Sequence, residues 1–139
     1  MNNNYVLFLD SDCDVTPEQA KEYGFEIISM PYKIGETEVF PYKDFDVFDY
    51  KTFYNQLRHG AMPTTSALSP LDYIAYFEPY FKAGKDILYT HFSSAMSGTF
   101  NAMHIAEKTL QEKSQNSFTF HFIFLIFCWY VLNWNIKSV

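Results

Sequence analysis

The sequence predicts a three-layer α/β domain built on a mostly parallel sheet, followed by a hydrophobic tail of different character. Three observations carry this expectation. Short apolar runs that end in polar residues stand at Tyr5–Leu9, Phe25–Met30 and Ile87–Thr90. Helix-start signals and helical apolar spacing fall between them and after the last. Strands that alternate with helices build parallel sheets, because each crossover helix returns the chain to the same edge. With 139 residues, the chain is long enough for one domain with a real core.

The elements follow in order. Tyr5 to Leu9 reads as a buried strand ending at Asp10. Thr16-Pro17-Glu18-Gln19 is a capping box with proline at the first helical position, and Gly24 stops that helix. Phe25 to Met30 is a second strand, ended by Pro31, and a small ribbon is predicted around Ile34 to Phe40. Asp49 caps a helix over Tyr50 to His59, with Phe53, Tyr54 and Leu57 on one face and Gly60 as its stop. Pro63-Thr64-Thr65-Ser66 is a hydroxyl-rich loop. Ser69-Pro70-Leu71-Asp72 opens another helix, with Leu71, Ile74, Phe77 and Phe81 at helical spacing. Pro79 is a misfit there, since an interior proline removes a hydrogen bond. Gly84 ends the helix, Ile87 to Thr90 forms a third strand, and Ser93 to Thr99 is a second hydroxyl-rich loop. A final helix runs to about Lys113 with Phe100, Met103, Ala106 and Leu110 inward.

The tail has another character. From Ser117 to Val139 there is no Asp, Glu, Gly or Pro, and Phe118, Phe120, Phe122, Phe124 and Phe127 crowd together. The expected division is an α/β domain over residues 1–115 and an aromatic tail over 116–139. The tail is read as the product of truncation or a frameshift. Membrane contact through it is the weaker alternative, because the apolar run is shorter than the ~20 residues a span needs.

Composition narrows the function. The net charge of −6 argues against nucleic acid as a partner and gives no basis for attraction to anionic membranes. Cys13 and Cys128 lie far apart, with no disulfide framework and no metal spacing, as expected of reduced thiols in a cytoplasmic protein. The N-terminus carries no secretory signal pattern. No metal or cofactor is expected. His91 and His104 lack a Cys or His partner at ligand spacing and read as structural.

The unusual features are hydroxyls and aromatic rings. Thr64, Thr65 and Ser66 form one hydroxyl cluster, and Ser93, Ser94, Ser97 and Thr99 form another. Hydroxyls often serve only to cap helices and close turns. Two dense clusters at ligand-prone loops can instead hold an anion, helped by amides at a helix N-terminus, and Gly98 would admit a ligand close to the backbone. Aromatic residues make up 20% of the chain, which suits a long apolar slot as well as a core. Each buried methylene contributes ~0.8 kcal/mol, so an acyl chain gains its affinity there and a polar anchor sets its orientation.

Several residues together carry a family resemblance. Asp10-Ser11 after a strand, Pro31 closing the second strand, Phe53-Tyr54 in a helix and Thr65-Ser66 occur in the order and spacing of the DegV family. The run Ser93-Ser94-Ala95-Met96-Ser97-Gly98-Thr99-Phe100 resembles that family's Ser-Ser-x-Leu-Ser-Gly-Thr-Tyr motif, with Met96 and Phe100 as mild departures. The resemblance covers roughly residues 5 to 113 and implies the N-terminal domain of a two-domain lipid carrier. It implies a bound long-chain fatty acid such as palmitate, with its carboxylate held by Thr65 and Ser97 and supported by Ser66, Ser94, Gly98 and Thr99. It also implies delivery to a fatty acid kinase subunit and no catalysis by the chain itself. The resemblance also implies basic or His groups near the head group from a C-terminal domain, and nothing after Lys113 resembles that domain.

Two alternatives stay open. Asp10 and Asp12 after a strand resemble the nucleophile and acid/base of haloacid-dehalogenase-type phosphatases, with Thr90 or Ser93 on the phosphate. Against it, no acidic residue follows Glu112 to supply a magnesium pair. Calcium is disfavoured, because a loop starting at Asp10 has Val15 and Lys21 where Gly and Glu are needed. Asp12 and Asp14 read otherwise as a solvated turn. The second alternative is a fragment without function.

Overall fold

The computed structural model describes residues 4–13, 15–43, 47–91 and 98–113, together with the backbone of 120–124. Four strands form the central sheet: β1 (Tyr5–Asp10), β2 (Phe25–Ile28), β6 (Asp86–His91) and β7 (Phe120–Phe124). Their order is β2-β1-β6-β7 and every pairing is parallel. Three further strands, β3 (Tyr32–Ile34), β4 (Thr37–Val39) and β5 (Thr64–Thr65), make a small antiparallel sheet in the order β4-β3-β5. The helices are α1 (Pro17–Tyr23), α2 (Tyr50–Arg58), α3 (Pro70–Lys82) and α4 (Thr99–Lys113).

Residue alternation along β1 sorts the two faces of the sheet. Val6 and Phe8 point to one side, where they join Ile28, Ile87 and Tyr89 from neighbouring strands. Tyr73, Phe77 and Phe81 of α3 and Met103, Ala106 and Leu110 of α4 close that core. Phe8 meets Phe77 edge-on at 5.2 Å between centroids, a favoured arrangement for ring quadrupoles. Leu9 points the other way and packs with Cys13, Val15 and Ala20, with Phe25 and Ile27 at the margin. Helices on both faces of a parallel sheet give the three layers that the alternation of elements predicted.

Local chemistry explains the helix ends. Thr16 and Gln19 complete a reciprocal capping box at α1, and Gly24 adopts the left-handed conformation that ends it, φ 71°. Ser69 and Asp72 do the same for the start of α3, and Asp49 caps α2.

Three details differ from the sequence reading. Leu71 is 76% exposed, and Tyr73 takes the inner position, so the buried stripe of α3 runs Tyr73–Phe77–Phe81 at intervals of four. The second strand stops at Ile28 rather than Met30. Thr64-Thr65, expected as loop, pairs with β3 as β5; both are β-branched and favour extended backbone. Within the tail, Phe120–Phe124 forms β7, which runs parallel to β6 with Tyr89 opposite Phe122. Residues 125–139 lie outside the described set. Among the described residues, no helix is long and apolar enough to cross a membrane.

Candidate functional site

Ligands of open parallel sheets sit beyond the carboxyl ends of the strands, and a cavity of about 550 Å³ lies there. It is walled by the segment after β1 (Ser11, Asp12), the segment after β2 (Met30, Pro31, Tyr32), Pro41, Phe53 of α2, the 63–67 segment and Thr99 at the head of α4. The small sheet therefore matters to the site. By pairing with β3, β5 brings Thr64 and Thr65 over the carboxyl end of β2, with Tyr32 opposite Thr65. The Ser66 amide donates to the carbonyl of Pro31 at 3.1 Å and holds that segment against the strand end.

The walls divide by chemistry. Ser11, Thr64, Thr65, Ser66 and Thr99 supply hydroxyls. Met30, Pro31, Tyr32, Pro41, Phe53, Pro63 and Ala67 supply mostly apolar surface. Phe53 and Tyr32 meet edge to face at 5.6 Å and form an aromatic corner. Ser11 also accepts a hydrogen bond from the Met30 amide at 2.9 Å, tying the ends of β1 and β2 together.

Of the expected binding residues, Thr65, Ser66 and Thr99 line one cavity although 34 positions separate the first from the last. Thr65 is exposed, Ser66 half-buried and Thr99 buried. Gly98 sits in the turn before α4, where a side-chain carbon would meet no atom within 4 Å. Ser94 and Ser97, with the rest of 92–97, lie outside the described residues, as does Asp14.

Sequence reasoning missed two features. Asp12, read as a phosphatase acid/base candidate or as part of a solvated turn, lines the cavity beside the hydroxyls. His91, read as structural but alone, has a buried partner: its Nδ1 contacts Oδ2 of Asp10, while the Tyr89 hydroxyl donates to Oδ1. Tyr73 extends the chain, its hydroxyl 3.5 Å from that of Tyr89. The parallel register explains the meeting. Phe8 lies opposite Tyr89 and Leu9 opposite Thr90, so the next step along both strands brings Asp10 beside His91. Burial, then the Tyr89 hydrogen bond and the charges of Asp10 and Asp12, act on the Tyr73 phenol, with a net upward push on its pKa.

This network bears on the phosphatase alternative. Asp10 is 3% exposed, both its oxygens are engaged, and it does not line the cavity. A nucleophile must face its substrate, and Asp10 faces the core. Thr90 is also buried. Among the described residues, no group of three His, Cys, Asp or Glu side chains is placed to hold a metal ion.

Comparison with known proteins adds the family context. The model described as "Uncharacterised protein, DegV family" matches residues 5–125. A DegV domain-containing protein of Clostridium perfringens is 38% identical over 109 residues, covering 78% of this chain but 37% of its own length. Among solved structures, the fold is similar to that of a stearic acid-binding protein from Eubacterium ventriosum (TM-score 0.72, 20% identity, 86% of this chain and 40% of that one). It is also similar to the fatty acid kinase B3 protein of Streptococcus pneumoniae, loaded with linoleic acid (TM-score 0.63, 17% identity, 86% and 41%).

Proposed function

The chain belongs to the DegV family, and on that premise we propose that its cavity binds a long-chain fatty acid such as palmitate by the carboxylate. The observation that carries this reading is the division of the cavity walls. Hydroxyls of Ser11, Thr64, Thr65, Ser66 and Thr99 share one cavity of about 550 Å³ with the apolar surface of Met30, Pro31, Phe53 and Pro63. That volume lies within the ~300–1,000 Å³ common for small-molecule sites. A fatty acid needs this pairing: hydrogen-bond donors for the head group and dry surface for the methylenes.

In this reading Thr65 and Ser97 hold the carboxylate, with Ser66, Ser94, Gly98 and Thr99 in support. Ser94 and Ser97 enter on the sequence pattern of their loop alone. The chain is a carrier and not an enzyme. It presents the acid in the cytoplasm to a fatty acid kinase subunit, a role supported by the fold of the kinase B3 protein. The chain spans 37% of the length of the first relative, so the proposal for the whole carrier includes walls that these residues do not supply.

Native mass spectrometry of the purified chain tests the reading. Co-purified or added palmitate is expected to remain bound, and Thr65→Ala is expected to weaken retention by about tenfold, the loss of a hydrogen bond to a charged group. A folded chain with no affinity for any fatty acid overturns it.

A further inference from the structure

The backbone fixes the orientation of one lining hydroxyl. Ser11 is half-buried at the carboxyl end of β1, at the head of a single turn, Ser11–Cys13, and it lines the cavity with Thr64, Thr65, Ser66 and Thr99. Its oxygen accepts from the Met30 amide at 2.9 Å. Its chain neighbour Asp10 is held between Tyr89 and His91. Ser11 is therefore clamped on two sides, to β6 through Asp10 and to the segment after β2 through its own oxygen.

The clamp leaves the hydroxyl proton uncommitted. Among the described residues the hydrogen-bond partner of Ser11 is the Met30 amide, which is itself a donor. An oxygen that accepts from an amide turns its own hydrogen away from that amide, toward a group that can accept it. An ionised carboxylate is the complement, since it only accepts, at about four lone-pair sites. Thr65 and Ser97 would use two of them. We propose that Ser11 is a third donor to the head group, acting from the end of β1 while Thr65 acts from the small sheet. This inference rests on the fatty-acid reading of the cavity and adds a binding residue on another strand. Donation to the anion stabilises the charged form, so Ser11 also holds the bound acid ionised to lower pH.

The test loads the full 139-residue chain with palmitate carrying 13C at the carboxyl carbon. Two quantities are read: the affinity, by displacement of a fluorescent fatty acid, and the pH at which the bound carboxyl titrates, by its 13C shift. Ser11→Ala is expected to weaken palmitate about tenfold, the loss of a hydrogen bond to a charged group. A bond to the neutral acid is roughly half as strong, so the protonated ligand loses about threefold, and the titration moves up by about half a pH unit. Asp10, Asp12, Tyr32 and His91 surround the site in every variant, so the difference between variants reports Ser11. Ser11→Thr keeps the hydroxyl and is expected to restore both quantities. Ser11→Ala also takes the acceptor from the Met30 amide. If that variant loses its native circular dichroism spectrum, Ser11→Cys, a weak acceptor and a poor donor, is expected to show the same two changes in a folded chain. Wild-type affinity in the folded variant overturns the proposal. So does a weakened affinity with an unmoved titration, which makes Ser11 a strand clamp alone. If the folded wild type retains no fatty acid, the fatty-acid reading itself fails and the third donor with it.

Discussion

The imidazole of His91 lies flat on the ring of Tyr89, with planes 8° apart and centroids 5.4 Å apart, and the polar atoms of both end on the carboxylate of Asp10. Adjacent parallel strands thus share one buried anion at their carboxyl ends, directly behind the wall that carries Ser11 and Asp12. Removing the carboxylate takes the acceptor from the Tyr89 hydroxyl and the partner from His91 Nδ1 in a buried site. Asp10→Ala is expected to destabilise the fold by about 3 kcal/mol or more, the usual cost of breaking a buried charged network. Asp10→Asn keeps one acceptor oxygen and should cost less, on the order of 1–2 kcal/mol. Urea unfolding followed by circular dichroism measures both, and equal costs for the two variants would contradict this account.

Three phenols should fail to titrate normally. Burial raises Tyr89 and Tyr73, with the Asp10 charge adding to it in each, and burial with the Glu26 hydrogen bond raises Tyr80 to about 12. A raised phenol pKa means that the fold holds the proton more tightly than the unfolded chain does. The resulting stability is complete below the ordinary value of 10.0 and is lost as pH climbs through the folded values. The urea midpoint is expected to stay level between about pH 8 and 9 and to fall above about 10. Absorbance at 295 nm should show Tyr73 and Tyr89, two of the eleven tyrosines, ionising only as the protein unfolds, and Tyr80 ionising late, near 12.

Pro79 offers a test in the other direction. It sits inside α3, is exposed, and has no amide to donate to the preceding turn. Helix α3 is tolerated because Tyr73, Phe77 and Phe81 anchor it to the core on either side of that position. Pro79→Ala restores the missing donor without touching buried surface, and is expected to raise the unfolding free energy by about 1 kcal/mol or more. A thermal melt that shifts downward would show that the proline fits a bend the packing requires.

Much of this protein was determined by its sequence alone. Capping boxes at Thr16 and Ser69, left-handed Gly24 and the apolar runs of β1 and β6 are local signals, set by residues within a few positions of each other. Their alternation was enough to specify a parallel sheet between helices. The hydroxyl clusters were visible for the same reason, since Thr64 to Ser66 and Ser97 to Thr99 are contiguous. Only the tertiary structure decided which groups meet. Asp10 and His91 are 81 residues apart, and their contact follows from strand register. Asp12 is a turn residue in sequence and a cavity wall in space, because the small sheet folds Thr64 and Thr65 over the same strand ends. Leu71 is exposed and Tyr73 buried because apolar spacing fixes the rotation of a helix only loosely, and the surface that α3 packs against sets it. Local chemistry therefore wrote the elements, and long-range pairing, whose partners are set by the fold and not by chain neighbours, wrote the site.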